Sequence, residues 1–166
     1  MSKTDFDKLR IDMWVSGTAD KEGNGGYSAL LYSQINQTPF KKTIGGYATD
    51  TTITRMTLKA IVEGLTCIKS KSFIHIYTSL PQISVGLNKN MYVWERNDWR
   101  RKDGQFLKHA DLWQQVFELL DEKSLSYRVK LERPFPSQDN HLYVIHMASK
   151  YTMQAKKHLH EVAVSS

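Results

Sequence analysis

LRIDMWVSGTADKEGNGGYSALLYSQINQTPFKKTIGGYA, residues 9–48, carries the pattern that decides the fold. Leu9–Ser16 mixes apolar and polar residues with partial alternation, as a strand does. Ser16–Gly26 is rich in turn residues, with Gly17, Gly23, Gly25 and Gly26 suited to positive φ. Tyr27–Ile35 resumes a strand, Asn36–Pro39 is a second turn, and Phe40–Ala48 is a third strand. The Gly45-Gly46 pair inside that strand suggests a bulge. Three short strands joined by tight turns form an antiparallel meander.

Working outward, Thr51, Thr52 and Thr54 are candidate caps for a helix on which Met56, Ala60, Ile61, Leu65 and Ile68 keep one apolar face. Cys67 falls on this helix as a small buried hydrophobe. Ser72–Thr78 is a β-branched and aromatic strand, and strand–helix–strand over so short a span implies a parallel crossover. Leu80–Asn88 suits a short helix, with Pro81 in its first turn. Met91–His109 is polar, aromatic and basic. Asp111–Lys123 is an amphipathic helix built on Leu112, Val116, Leu119 and Leu120. Leu125–Glu132 alternates as a strand, Arg133–Asn140 is a loop, and His141–His160 is a final helix. The order is βββ-α-β-α-α-β-α. Residues 1–160 form one domain, with a short C-terminal tail over 161–166.

The whole-chain numbers agree with one domain. A chain of 166 residues buries roughly 70% of its unfolded surface, enough for a single core. One cysteine excludes an intrachain disulfide framework and fits a reducing compartment; the expected setting is intracellular, cytoplasmic or nucleic-acid-associated. No apolar run is long enough to span a membrane, and the charged N-terminus MSKTDFDKLR has no signal-peptide core. The formal charge of +6 suggests an anionic partner.

Four segments, taken together, resemble the ribonuclease H type 1 family. Ser16-Gly17-Thr18 followed by Gly23-Asn24-Gly25-Gly26-Tyr27 is similar to the family's Asp-Gly-Ser…Gly-Asn…Gly-Gly-Tyr hairpin. Gly46-Tyr47 with Thr51-Thr52-Ile53-Thr54-Arg55-Met56-Thr57-Leu58 resembles Gly-Tyr…Thr-Thr-Asn-Asn-Arg-Met-Glu-Leu. Ile76-Tyr77-Thr78-Ser79 resembles a strand ending in Thr-Asp. Trp94…Trp99-Arg100-Arg101…Asp111-Leu112-Trp113 resembles the basic protrusion and the start of the next helix. The resemblance spans about Lys8 to Tyr151. It implies an α/β fold with a five-stranded mixed sheet, three antiparallel strands followed by two parallel-type strands, flanked by helices.

The resemblance also implies a chemistry that the residues depart from. The family cleaves the RNA strand of an RNA–DNA hybrid with two divalent metals held by four carboxylates, which clamp the attacking and leaving oxygens. Here the four positions read Ser16, Thr57, Ser79 and a site between Tyr143 and His146, taken as His146. Magnesium prefers hard anionic oxygens. Neutral hydroxyls are poor sole ligands, so no metal is expected, and Mg²⁺ or Mn²⁺ enters only if ligands have moved elsewhere. Asp12 lies about 13 Å along the strand from Ser16, too far to substitute. The loop before the last helix reads Pro134-Phe135-Pro136-Ser137, without the family's histidine. His141 and His146 are five apart, off the i,i+4 spacing of a helical metal pair.

The protrusion is the candidate binding surface. Lys89, Arg96, Arg100, Arg101, Lys102 and Lys108 oppose Glu95, Asp98 and Asp103, a local net of +3. Basic residues interleaved with Trp94 and Trp99 suit phosphate contact and base packing. Tryptophans that pack beneath the protrusion and charges that are merely solvated are the plainer alternative. Asn24, Thr52 and Thr54 stand where the resemblance places backbone contacts, although as turn residue and helix caps they have ordinary uses. Arg55 either pairs with a carboxylate or reaches phosphate. The expected function is binding of an RNA–DNA hybrid or structured RNA without hydrolysis. The alternatives are a protein-interaction module using the apolar segment Leu142–Met147, and an active nuclease with relocated ligands. Restoring four carboxylates would take the formal charge from +6 to +2, so the basic balance reports lost ligands as much as phosphate contacts.

Overall fold

The computed structural model describes residues 9–132 and 138–165. Strands β1 (Leu9–Ala19), β2 (Gly25–Ile35) and β3 (Thr38–Ala48) form the meander. Helix α1 (Ile53–Thr66) crosses to β4 (Ser72–Thr78). A helical run follows as α2 (Pro81–Val85), a π-helical turn over Gly86–Asn90 and α3 (Met91–Arg96). Helix α4 (Ala110–Glu122), β5 (Ser126–Leu131) and α5 (Asp139–Ser165) complete the chain. The sheet order is β3-β2-β1-β4-β5, with β1–β2 and β2–β3 antiparallel and β1–β4 and β4–β5 parallel. This is the expected five-stranded mixed sheet.

Local chemistry sets the connections. Asn36 and Gln37 both have positive φ, at 50° and 66°, a two-residue turn whose twist matches its strands. In the first hairpin, the Asp20 carboxylate accepts hydrogen bonds from the backbone N–H groups of Glu22 and Asn24 and from the Asn24 amide. The Asn24 amide is the main reason that this carboxyl sits below its usual range. Thr52 caps α1 by accepting from the Arg55 N–H at 3.2 Å. At the other end, Lys123 Nζ donates to the carbonyls of Leu65, Thr66 and Ile68 at 2.8–3.1 Å, satisfying groups the helix end leaves open.

Strand alternation gives β1 two working faces. Ile11, Met13 and Val15 join Leu58, Ile61 and Leu65 of α1 and Val116 of α4 in the main core. On the other face Trp14 stacks on Tyr77, with ring centroids 4.8 Å apart, beneath Val144 of α5. Both faces are covered, which explains why the strand's apolar alternation is only partial.

Several expectations change. Pairing between β2 and β3 is unbroken from Gly25↔Ala48 to Ile35↔Thr38, so Gly45-Gly46 makes no bulge. These glycines clear space instead: a Cβ at Gly45 would stand 2.2 Å from the Tyr151 ring. The last helix continues through 161–165, where the sequence suggests a tail; nothing there is a helix breaker. The start of Met91–His109 is helical. Cys67 caps α1 and is partly exposed rather than buried. The loop residues 133–137 lie outside the described residues. No helix among the described residues is long and apolar enough to cross a membrane.

Candidate nucleic-acid interface

Three of the four expected positions meet. Ser16 near the end of β1, Thr57 on α1 and Ser79 just after β4 line one pocket of about 340 Å³ at the C-terminal ends of the central strands. Gly17 makes the convergence tight, because a Cβ there would stand 2.3 Å from the Thr57 backbone nitrogen. From α5 the pocket receives Ile145 and Ser149. His146 is exposed and does not line it. One residue turns a helix by about 100°, so assigning the position one residue late points the side chain away. Ile145 lies inside the Tyr143–His146 window, within which the preceding loop leaves the helix register open.

Among the described residues the pocket is hydroxyl-lined and no carboxylate lines it: Ser16, Thr18, Thr57, Thr78, Ser79 and Ser149 supply its polar side chains. The Thr57 hydroxyl donates to the Ile53 carbonyl at 2.9 Å, and Thr78 accepts from the Leu80 N–H. Ser79 Oγ lies 3.3 Å from Nε2 of His141, which is fully buried. Burial pushes the His141 imidazole down to about 4, and its Nδ1 has no hydrogen-bond partner among the described residues. A neutral donor set of this kind does not fit two divalent metals, which need anionic oxygens. Nor do the described residues bring three or more His, Cys, Asp or Glu side chains together for a metal. Asp12 is engaged elsewhere, receiving the Tyr77 hydroxyl at 3.3 Å and pairing with Arg10.

The protrusion is folded differently from its charge pattern. Trp99 is 6% exposed and packs edge-on against Phe117, while Trp94 is half-buried against Trp113 at 5.3 Å between ring centroids. Both tryptophans belong to the core beneath the protrusion, so neither offers an open stacking platform. Apolar area outweighs the pull toward solvent here. Arg100 donates to the Gly104 carbonyl at 2.8 Å and lies over the Phe106 ring; Arg101 pairs with Asp103 at 2.7 Å. Arg96, Lys102 and Lys108 are exposed and form no ion pair among the described residues.

The remaining candidates also find ordinary partners. Asn24 is 2% exposed and locked to Asp20, so it presents no side chain to a ligand. Thr52 is the α1 cap, and Thr54 accepts a hydrogen bond from Gln82 at 3.4 Å. Arg55 resolves toward the carboxylate, donating two bonds to Asp111 at 3.0 and 2.6 Å. That fork ties α1 to the start of α4 and holds the Asp111 carboxyl below its usual range.

Comparison with known proteins converges on one family. The RNase H family model matches residues 11–129. Ribonuclease H of Caldicellulosiruptor saccharolyticus is 33% identical over 120 residues, covering 70% of this chain and 79% of that protein. Ribonuclease H of Rickettsia canadensis is 34% identical over 120 residues, covering 72% and 75%. Among solved structures, LC9-RNase H1, a type 1 RNase H with the type 2 active-site motif, superposes with a TM-score of 0.76 at 17% identity over 92% of this chain and 76% of that one. The foamy viral protease-reverse transcriptase in complex with RNA/DNA hybrid gives 0.66 at 12% identity, over 87% of this chain and 20% of that one.

Proposed function

This chain belongs to the RNase H family, and from that premise we propose that it binds RNA–DNA hybrid or structured RNA without hydrolysing it. The observation that carries this reading is the pocket itself: Ser16, Thr57 and Ser79 converge on it, and no carboxylate among the described residues lines it. Hydrolysis by two metals requires anionic ligands to hold them. With hydroxyls and Ile145 in their place, the cleft keeps its shape and loses its charge.

Binding in this reading rests on the duplex backbone. Phosphates are held by cations and positioned by shape, which carries little sequence information. Arg96, Lys102 and Lys108 are the protrusion cations available for this work, with Arg100 and Arg101 partly committed to their own turn. The resemblance of the protrusion segment to the family's hybrid-gripping element supports the same surface. A salt titration of a fluorescent hybrid tests the reading. Affinity falls steeply as salt rises, as phosphate contacts require; absence of binding to every hybrid and duplex at low salt overturns it.

A second reading has its own observation. Leu142 and Tyr143 on α5 are exposed, at 45% and 40%, beside the pocket-lining Ile145. A protein partner covering this apolar pair would make the domain a docking module. Leu142→Asp lowers hybrid affinity little in the first reading and abolishes partner capture in the second.

A further inference from the structure

The opposite end of the sheet opens into a larger cavity, of about 480 Å³. Its walls include Leu31, Phe40 and Cys67, and its rim carries Lys41, Lys42 and Lys69. The cavity exists because α1 stops at Thr66 while the edge strand β3 runs on, so the main core is left open beneath Phe40. Phe40 is 53% exposed. Among the described residues no carboxylate lines the cavity, and the three lysines form no ion pair. The cavity shares no lining residue with the hydroxyl pocket, and its Leu9 stands seven positions along β1 from Ser16, about 23 Å of strand. The two sites are therefore distinct.

The combination is specific in its chemistry. An exposed ring over an apolar wall takes a flat, weakly polar body, and the ammonium groups of Lys42 and Lys69, unpaired among the described residues, take a chain of negative charge. Nucleobases on a phosphate backbone join those two properties in every residue, and a stacking ring flanked by cations is how single strands are held without regard to sequence. We propose that this cavity binds single-stranded nucleic acid, one base against Phe40 and the apolar wall and the flanking phosphates on Lys42, which shares the Phe40 face of β3, and Lys69. A base inside a duplex keeps both faces stacked on its neighbours and does not enter. The site thus accepts an overhang or a free strand, independently of whether the hydroxyl pocket takes a hybrid.

Cys67 supplies the readout, being the only cysteine in the chain and partly exposed on the cavity wall. The experiment follows its alkylation by a maleimide with and without oligo-uridylate, oligo-thymidylate or poly-glutamate, alongside anisotropy of the labelled oligonucleotides. Oligonucleotide slows alkylation, and either nucleic acid doing so supports the site; their ratio separates RNA from DNA preference. The exposed substitution Phe40→Ala weakens single-strand binding roughly five- to hundredfold, the range for loss of one stacked base. K42E/K69E lowers it at least about tenfold and flattens its salt dependence, with blunt hybrid affinity unchanged. Unaltered alkylation in the presence of both oligonucleotides overturns the proposal. So does protection by poly-glutamate equal to that by nucleic acid, which would make the cavity an acidic-peptide site. Failure of the hybrid to bind leaves the Cys67 measurement intact, so the two readings fail separately.

Discussion

The hydroxyl pocket and the basic protrusion are held in shape in opposite ways. In the pocket the backbone sets the geometry: Gly17 lets β1 touch α1, and Ser16, Thr57 and Ser79 meet, none of them charged. In the protrusion the aromatics serve packing beneath a charged surface, with Trp99 buried on Phe117 and Arg101 spent on Asp103. A pocket framed by a sheet keeps its shape because the backbone sets its spacing, whatever side chains fill it. An excursion between helices keeps its shape only by burying some of its own side chains. Resemblance in such an excursion is therefore a weaker guide to which residues touch a ligand.

Substitutions sharpen that contrast. The largest expected effect lies in the protrusion: Trp99→Ala costs about 3–5 kcal/mol of stability, as loss of a buried aromatic does. Chemical denaturation checks it; a stable variant with lost hybrid affinity would make Trp99 a platform and break the comparison. Next comes His141, the buried neighbour of the pocket-lining Ser79. His141 is held neutral with its pKa lowered from 6.5 to about 4. The unfolded chain takes up this proton below about 6.5 and the folded chain only near 4, so stability is full above the upper value and declines as pH falls between them. The loss is on the order of 3 kcal/mol. Denaturation midpoints from pH 7 to 4 measure it, and His141→Asn flattens that slope.

Smaller effects follow at the margins. Arg55→Ala removes the fork to Asp111 and costs about 1 kcal/mol, since both partners are partly exposed; a thermal melt reads this as a drop of a few degrees. Smallest in stability is Lys102→Ala, within about 0.5 kcal/mol of the parent. Its signature is in binding, where the salt slope falls by about one unit if Lys102 meets a phosphate. An unchanged slope assigns Lys102 to solvent and moves the proposed contact to Arg96 and Lys108.

The sheet was legible because its signals are local. Alternation in residues 9–48, the Thr52 cap and the β-branched run at Ser72–Thr78 each identify an element from a few neighbouring residues. What stayed hidden depends on distant partners. Gly45 answers to Tyr151, more than a hundred residues away, and so reads locally as an interruption. Asn24 has a binding-residue composition but a structural partner in Asp20. The last pocket position depends on the length of the loop before α5, and one residue of uncertainty exchanges the pocket-lining Ile145 for the exposed His146. The cavity at Phe40 has no contiguous signature, because β1, β2, β3 and the end of α1 assemble it.

The central claim is tested most directly by one assay. An RNA–DNA hybrid labelled on the RNA strand is incubated with saturating protein in Mn²⁺ and, in parallel, in chelator, and both the bound fraction and the strand length are read. The account predicts equal binding in the two conditions and full-length RNA in both. Shortened RNA in Mn²⁺ that chelator abolishes would contradict it.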